Sequence, residues 1–79
     1  MSLNIKEYNF PVSENIAKVI NEKGLKQKSI AQKAGYSEQT LSDMLNGRKI
    51  IRIIDVIKIK DALEVDTNIL FRAPKKGGG

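Results

Sequence analysis

Gln27 to Asn46 reads QKSIAQKAGYSEQTLSDMLN, two short helical patterns joined by a glycine turn. In the first, Lys28 to Ala34, the residues Ile30, Ala31 and Ala34 share one face at helical spacing. Gly35 closes it, because the left-handed conformation that ends a helix carries no steric cost for a residue without a Cβ. Ser37 restarts the chain. Its hydroxyl can cap the free N–H groups of the next turn, Glu38 suits the positive helix end, and Leu41, Met44 and Leu45 form a buried stripe. The two helices must then cross tightly, and Ala31 lacks the bulk to hold them apart.

On the N-terminal side, Val12 and Ser13 begin a helix, with Ser13 as its expected cap and Val12 packing against the first turn. Ile16, Val19 and Ile20 supply its buried face, Gly24 ends it, and Leu25 is expected to re-enter the core. Residues 1–11 show no sustained period and read as an extended or disordered lead-in. Within it Tyr8 and Phe10 either fold over a core edge or form a partner-binding arm. On the C-terminal side, Asn46-Gly47 is a helix stop, followed by Arg48, Lys49 and the run IIRIIDVIKIKDALEV. Propensity favours a strand over Ile50 to Ile59, which is rich in β-branched residues. The run is too long for a usual strand, however, and Ile53, Val56, Ile57 and Leu63 fall on one side of a 3.6-residue helix. A helix is expected there, with a winged arrangement as the alternative. Asp66 can cap a short last helix in which Leu70 and Phe71 close the core, and Pro74 prevents its continuation. Residues 74–79 read as a flexible tail.

The glycine turn, the small residue and the apolar positions in register resemble the helix-turn-helix of the phage repressor and Cro-like family, also called the XRE family. The matching residues are Gln27, Ile30, Ala31, Ala34, Gly35, Leu41, Met44 and the closing Asn46-Gly47-Arg48. The likeness extends over roughly Val12 to Phe71. It implies an all-α, compact five-helix lambda-repressor-like DNA-binding domain over residues 12–73, with its fourth helix on the isoleucine-rich run. Four positions depart from the family pattern. Lys26 stands where the family has Thr or Ser, so the second helix starts without an ordinary cap. Lys60 lies near the middle of the apolar face, where a small residue is usual, and is expected to snorkel to the surface or pair with an acid. Ile54 and Ile69 replace polar residues, as scattered surface apolarity or as a dimer patch.

Composition sets the bounds. Seventy-nine residues suffice for one domain, near the size at which a hydrophobic core can still stabilise a fold alone. Cysteine and histidine are both absent, which removes disulfides, thiolate metal sites, the commonest metal ligand and the usual general base. No phosphate-binding loop, metal cluster or nucleophile–base spacing appears, so neither an enzyme nor a cofactor is expected. No apolar run approaches a membrane span and no signal-peptide core is visible. A soluble cytoplasmic protein, bacterial or phage-encoded by resemblance, is the expectation. The net charge of +5 favours an anionic partner. Few aromatic residues are available for stacking, which disfavours a pure RNA binder.

The resemblance assigns the polar face of helix 37–46 to the major groove of double-stranded DNA, with Ser37, Glu38, Gln39, Thr40, Ser42 and Asp43 as candidate base readers. Gln39 can donate and accept at once and so satisfy adenine. Glu38 can accept from cytosine N4, and the Thr40 methyl can meet a thymine methyl. An amphipathic helix with a polar outer face is also what any surface helix presents; the surrounding motif decides for DNA. Gln27, Lys28, Asn46, Arg48 and Lys49 are the candidate phosphate contacts. From Lys26 to Lys49 five cations face two carboxylates, Glu38 and Asp43. Those two acids weaken nonspecific attachment and make discrimination depend on correct base partners, and Asp43 can alternatively order a neighbouring side chain. The expected function is a sequence-specific transcriptional regulator of the repressor or Cro type. A homodimer through the C-terminal helix would set two reading helices about 34 Å apart. A restriction-modification controller is a near variant of this reading, and a protein-interaction module such as an antitoxin or adaptor is the alternative from another class. No small-molecule ligand is evident.

Overall fold

The computed structural model describes residues 4–73, which form six helices and no strand. These are α1 (Ile5–Asn9), α2 (Val12–Glu22), α3 (Gln27–Ala34), α4 (Glu38–Leu45), α5 (Ile53–Leu63) and α6 (Thr67–Phe71). The all-helical class agrees with the sequence reading; the count is one higher than the expected five. The tail and Pro74 lie outside the described residues.

The additional helix is α1, which replaces the extended lead-in over residues 5–9. Its start is written locally: Asn4 accepts from the Glu7 amide at 2.8 Å and the Glu7 carboxylate accepts from the Asn4 amide at 3.4 Å, a reciprocal cap. Five residues cannot sustain a helix in isolation. Tertiary anchoring supplies the rest, since Asn9 at its end is only 2% exposed and is bonded to the far side of the chain.

α2 opens two residues earlier than a Ser13 cap implies. Pro11 occupies the cap position and its carbonyl accepts from the Asn15 amide at 3.0 Å, so Ser13 is a buried first-turn residue and not the cap. Ile16, Val19 and Ile20 are buried as expected, whereas Leu25 stays 37% exposed, because the chain reverses through the left-handed Gly24 directly onto α3. α3 starts at Lys26 with no side-chain cap. It ends at Gly35, φ 89°, and the Tyr36 amide donates to the Ala31 carbonyl at 2.8 Å. Ile30, Ala31 and Ala34 point inward, and the fully buried Ala31 gives α3 and α4 their close approach.

The isoleucine-rich run is helical, but its buried face is rotated from the expected one. Asp55, Val56, Ile59, Ala62 and Leu63 face the core, whereas Ile57 is exposed and Ile53 is 79% exposed. The helix is apolar on nearly every side, so periodicity does not fix its phase. Burial of Asp55 does, because there its carboxylate accepts from the Tyr36 hydroxyl and from Arg52. Lys60 is half-buried on the flank and pairs with Asp61 at 3.0 Å. The α5 end is closed by Glu64 in the left-handed region, and the Lys23 ammonium donates to the Leu63 carbonyl at 3.0 Å, a cation at the negative helix end. In α6, Asp66 holds the cap position without a side-chain bond, Leu70 is fully buried, and Phe71 is 52% exposed and so does not close the core.

Ile16, Leu41, Met44, Ile59, Leu63 and Leu70 are the largest fully buried apolar side chains. Each contributes on the order of 1.5–3 kcal/mol relative to exposure. They come from α2, α4, α5 and α6, and their common task is to hold α4 with its polar face outward.

Candidate nucleic-acid interface

α4 is fixed at its start by Ser37, whose hydroxyl accepts from the Thr40 amide at 3.1 Å and donates to the Thr40 hydroxyl at 3.0 Å. Leu41 and Met44 are buried beneath it. Glu38 and Gln39 are exposed; Thr40, Ser42 and Asp43 are partly exposed. The six candidate base readers are therefore on one short element, but not all equally free. Ser37 spends its hydroxyl on the cap. Thr40 keeps its own proton to donate. Ser42 accepts from the Asn46 amide nitrogen at 3.1 Å.

The side chain of Asp43 orders its neighbours. It accepts from the Gln39 amide nitrogen at 2.9 Å, and its carboxylate lies 3.7 Å from the Arg48 guanidinium. Ordering of a neighbour is one of the two roles the sequence suggests for Asp43. Gln39 retains its carbonyl oxygen and its other N–H, the pair needed for a bidentate contact with adenine.

The candidate phosphate contacts fall into two groups. Gln27, half-buried, and Lys28, exposed, open α3, where first-turn amides without a side-chain cap remain available to an acceptor. Asn46, Arg48 and Lys49 follow α4 and are exposed. The Arg48 and Lys49 amides both donate to the Asp43 carbonyl, at 2.8 and 3.2 Å, which wraps this cationic turn over the end of α4.

Residues that the sequence reading did not single out support the site from behind. The Tyr36 hydroxyl, in the turn between α3 and α4, donates to Asp55 on the first turn of α5. Arg52 donates to the same carboxylate from its backbone amide at 2.9 Å and from its guanidinium at 3.3 Å. Burial raises the pKa of the Tyr36 phenol and its hydrogen bond to Asp55 raises it further. For Asp55, burial pushes upward, but the bonds from Tyr36 and Arg52 outweigh it and hold the carboxyl below its ordinary value. Lys58 lies over the Tyr36 ring, 5.5 Å from its centre. Asn9 is the other missed residue, and the Asn4-x-x-Glu7 cap was the signal that a helix would carry it.

A second surface is apolar. Tyr8, Phe10, Ile53 and Phe71, all exposed, line a groove of about 250 Å³ floored by Val12, Ile51 and Val56. Ile54 and Ile57 on α5 are exposed as well. Ile69 packs partly buried against the core and does not join this face.

Residues 16–70 match the helix-turn-helix family HTH_3. A protein of Sinorhizobium fredii described as an HTH-type transcriptional regulator is 35% identical over 54 residues, covering 68% of this chain and 70% of its own. Among solved structures, the SOS-response transcriptional repressor LexA from Eubacterium rectale superposes with a TM-score of 0.74 at 25% identity, over 92% of this chain and 78% of that one. The restriction-modification controller protein C.AhdI from Aeromonas hydrophila gives 0.71 at 20% identity, over 76% and 91%. A hypothetical transcription factor from Neisseria, NHTF, gives 0.77 at 21% identity, over 94% and 86%. The last two likenesses concern the fold.

Proposed function

The chain belongs to the helix-turn-helix family of DNA-binding transcriptional regulators, the XRE or Cro/C1 type, and from that membership we propose how it reads its operator. α4 enters the major groove of duplex DNA with Gln39 as the principal base reader, supported by Glu38, Thr40 and Ser42, while Ser37 and Asp43 fix the reading surface. The observation that carries this is the arrangement of α4 itself. Its apolar side is locked into the core by Leu41 and Met44, its start is capped by Ser37, and its outer side presents an oriented amide beside the cationic turn of Arg48 and Lys49. Asn46, Arg48 and Lys49 contact phosphates on one side and Gln27 and Lys28 at the start of α3 on the other. The role is binding without catalysis, and work on DNA in a bacterial or phage-infected cell places the protein in the cytoplasm.

The protein acts as a homodimer on a two-fold site. As its association face we take the apolar groove lined by Tyr8, Phe10, Ile53 and, from the C-terminal helix, Phe71, with the exposed Ile54 and Ile57 beside Ile53 in the α5 sequence. Two copies bring two reading helices about one helical turn of DNA apart.

The test is selection from a randomised duplex pool at two salt concentrations, followed by sequencing of the bound fraction. A palindromic motif with half-sites about one turn apart supports the reading. Binding that selects nothing and vanishes with salt overturns it, since charge alone gives such behaviour.

A further inference from the structure

The end of α4 and the turn after it are held by a residue thirty-five positions away. The Asn9 side chain donates to the Met44 carbonyl at 3.0 Å and to the Lys49 carbonyl at 2.8 Å, and its oxygen accepts from the Ile51 amide at 2.8 Å. Both protons of one carboxamide and its acceptor are thus used, on three backbone groups that bracket Asn46, Arg48 and Lys49. A carboxylate lacks the two donors, and a glutamine carries its amide one methylene farther from the backbone. α1 meets the same turn at a second place: a Cβ at Gly47 would lie 3.0 Å from the Lys6 Cβ and 3.1 Å from its Cα. The turn is therefore clamped from behind by α1 and from the front by the Asp43 carbonyl.

We infer that Asn9 is a positioning residue for DNA binding, acting by fixing the cationic turn at the end of the reading helix in the geometry that meets the phosphate backbone. This rests on the operator reading above. Asn9 is buried and touches no DNA; it acts through Arg48 and Lys49. Two loosened cationic contacts change a specific observable. Binding weakens mainly at low salt, the dependence of log K on log salt becomes shallower, and the preferred bases stay the same, because Gln39 is set by α4 and Asp43.

The structure contains a matched control. Asn15 makes the same kind of contact, donating to the Leu70 and Arg72 carbonyls, both at 2.7 Å, but ties down α6 and not the turn after α4. Asn9→Ala and Asn15→Ala each remove a buried carboxamide from two carbonyls, so both are destabilised. Binding is measured by fluorescence anisotropy on the best duplex from the selected pool, across a salt series, at a temperature where circular dichroism shows each variant folded. Asn9→Ala is expected to lose roughly tenfold in affinity at low salt and one to two in salt slope, about one per phosphate contact; Asn15→Ala keeps the wild-type slope. An Asn9→Ala slope equal to that of Asn15→Ala overturns the inference. If Asn9→Ala does not fold, Asn9→Ser, which retains a shorter hydroxyl, is read against the same criterion. Failure of the wild-type protein to select any duplex counts against the operator reading; an unchanged slope in a wild-type protein that does select counts against Asn9 alone.

Discussion

The Tyr36 hydroxyl donates to Asp55, a carboxylate with no exposed surface, and so joins the turn between α3 and α4 to the first turn of α5. This bond locks the crossing of the two helices to α5, packed behind them. Tyr36→Phe keeps the ring and removes the donor, leaving the buried carboxylate with Arg52 alone. The expected loss is about 1–3 kcal/mol, the usual range for a buried polar group short of a partner. Urea unfolding followed by circular dichroism measures it, and a change under 0.5 kcal/mol, of the order seen for ordinary surface substitutions, would show that the bond contributes little.

The same pair sets the pH profile of stability. Asp55 has a lowered pKa in the folded protein, so its contribution is present above its unfolded value of about 3.9 and is lost as pH falls through the lower folded value. Tyr36 has a raised pKa, so its contribution is present below its unfolded value of about 10 and is lost as pH rises beyond that toward the folded value. Asp55→Asn should flatten the acid limb. Tyr36→Phe should flatten the alkaline limb. Thermal melts from pH 2.5 to 11 read both, and an acid limb with the wild-type slope in Asp55→Asn would assign acid sensitivity to other carboxylates.

Gly47 and Gly24 both have positive φ, 80° and 66°, but differ in what surrounds them. A Cβ at Gly24 meets nothing within 4 Å, whereas one at Gly47 meets the Lys6 Cβ and Cα at 3.0 and 3.1 Å. Gly24→Ala should cost about 1 kcal/mol through backbone strain alone. Gly47→Ala adds a steric displacement of α1 and should cost roughly twice that or more. Comparison of the two by urea titration decides: equal losses would mean that α1 yields freely.

How far the sequence determines this picture differs by element. The glycine turn, the Ser37 cap and the inward positions Ile30, Ala31, Leu41 and Met44 are legible because each depends on its neighbours within one turn. The phase of α5 is not, because Ile53, Val56, Ile57 and Ile59 offer apolar side chains in every direction and only the burial of Asp55 selects among them. α1 illustrates the same division. Its cap is local and readable, but its persistence depends on bonds from Asn9 to Met44, Lys49 and Ile51, which no window of sequence contains. The candidate site divides the same way. The Ser37 cap and the Asp43–Gln39 contact lie within one helix, whereas Tyr36, Asp55 and Asn9 reach it from turns distant in sequence.

Ile53 is the most exposed large apolar side chain among the described residues, and it stands at the rim of the groove formed with Tyr8, Phe10 and Phe71. In a monomer, Ile53→Glu should change stability by no more than about 0.5 kcal/mol, as for other surface positions. In the proposed dimer it would bury an unpaired carboxylate. Sedimentation equilibrium should then show the dimer dissociation constant rising by tenfold or more, with operator affinity falling in parallel. Unchanged association in Ile53→Glu would move the dimer face elsewhere.

Asp43 and Gln39 make the most specific prediction for DNA reading. Asp43 accepts one proton of the Gln39 amide and so presents the remaining N–H and the carbonyl in a fixed orientation. Gln39→Ala should relax one base position in each half-site, since a bidentate contact carries about 1–3 kcal/mol of discrimination. Asp43→Ala should relax that same position without touching a base there, because the amide is no longer held, and should also raise affinity for random duplex by removing a negative charge from the DNA-facing surface. The double variant should discriminate no worse at that position than Gln39→Ala, the non-additivity expected of residues acting through one contact. Parallel selections from the same randomised pool measure all three. Full retention of that base preference in Asp43→Ala would mean that DNA itself orients Gln39, and additive losses in the double variant would mean that Asp43 reads a base of its own.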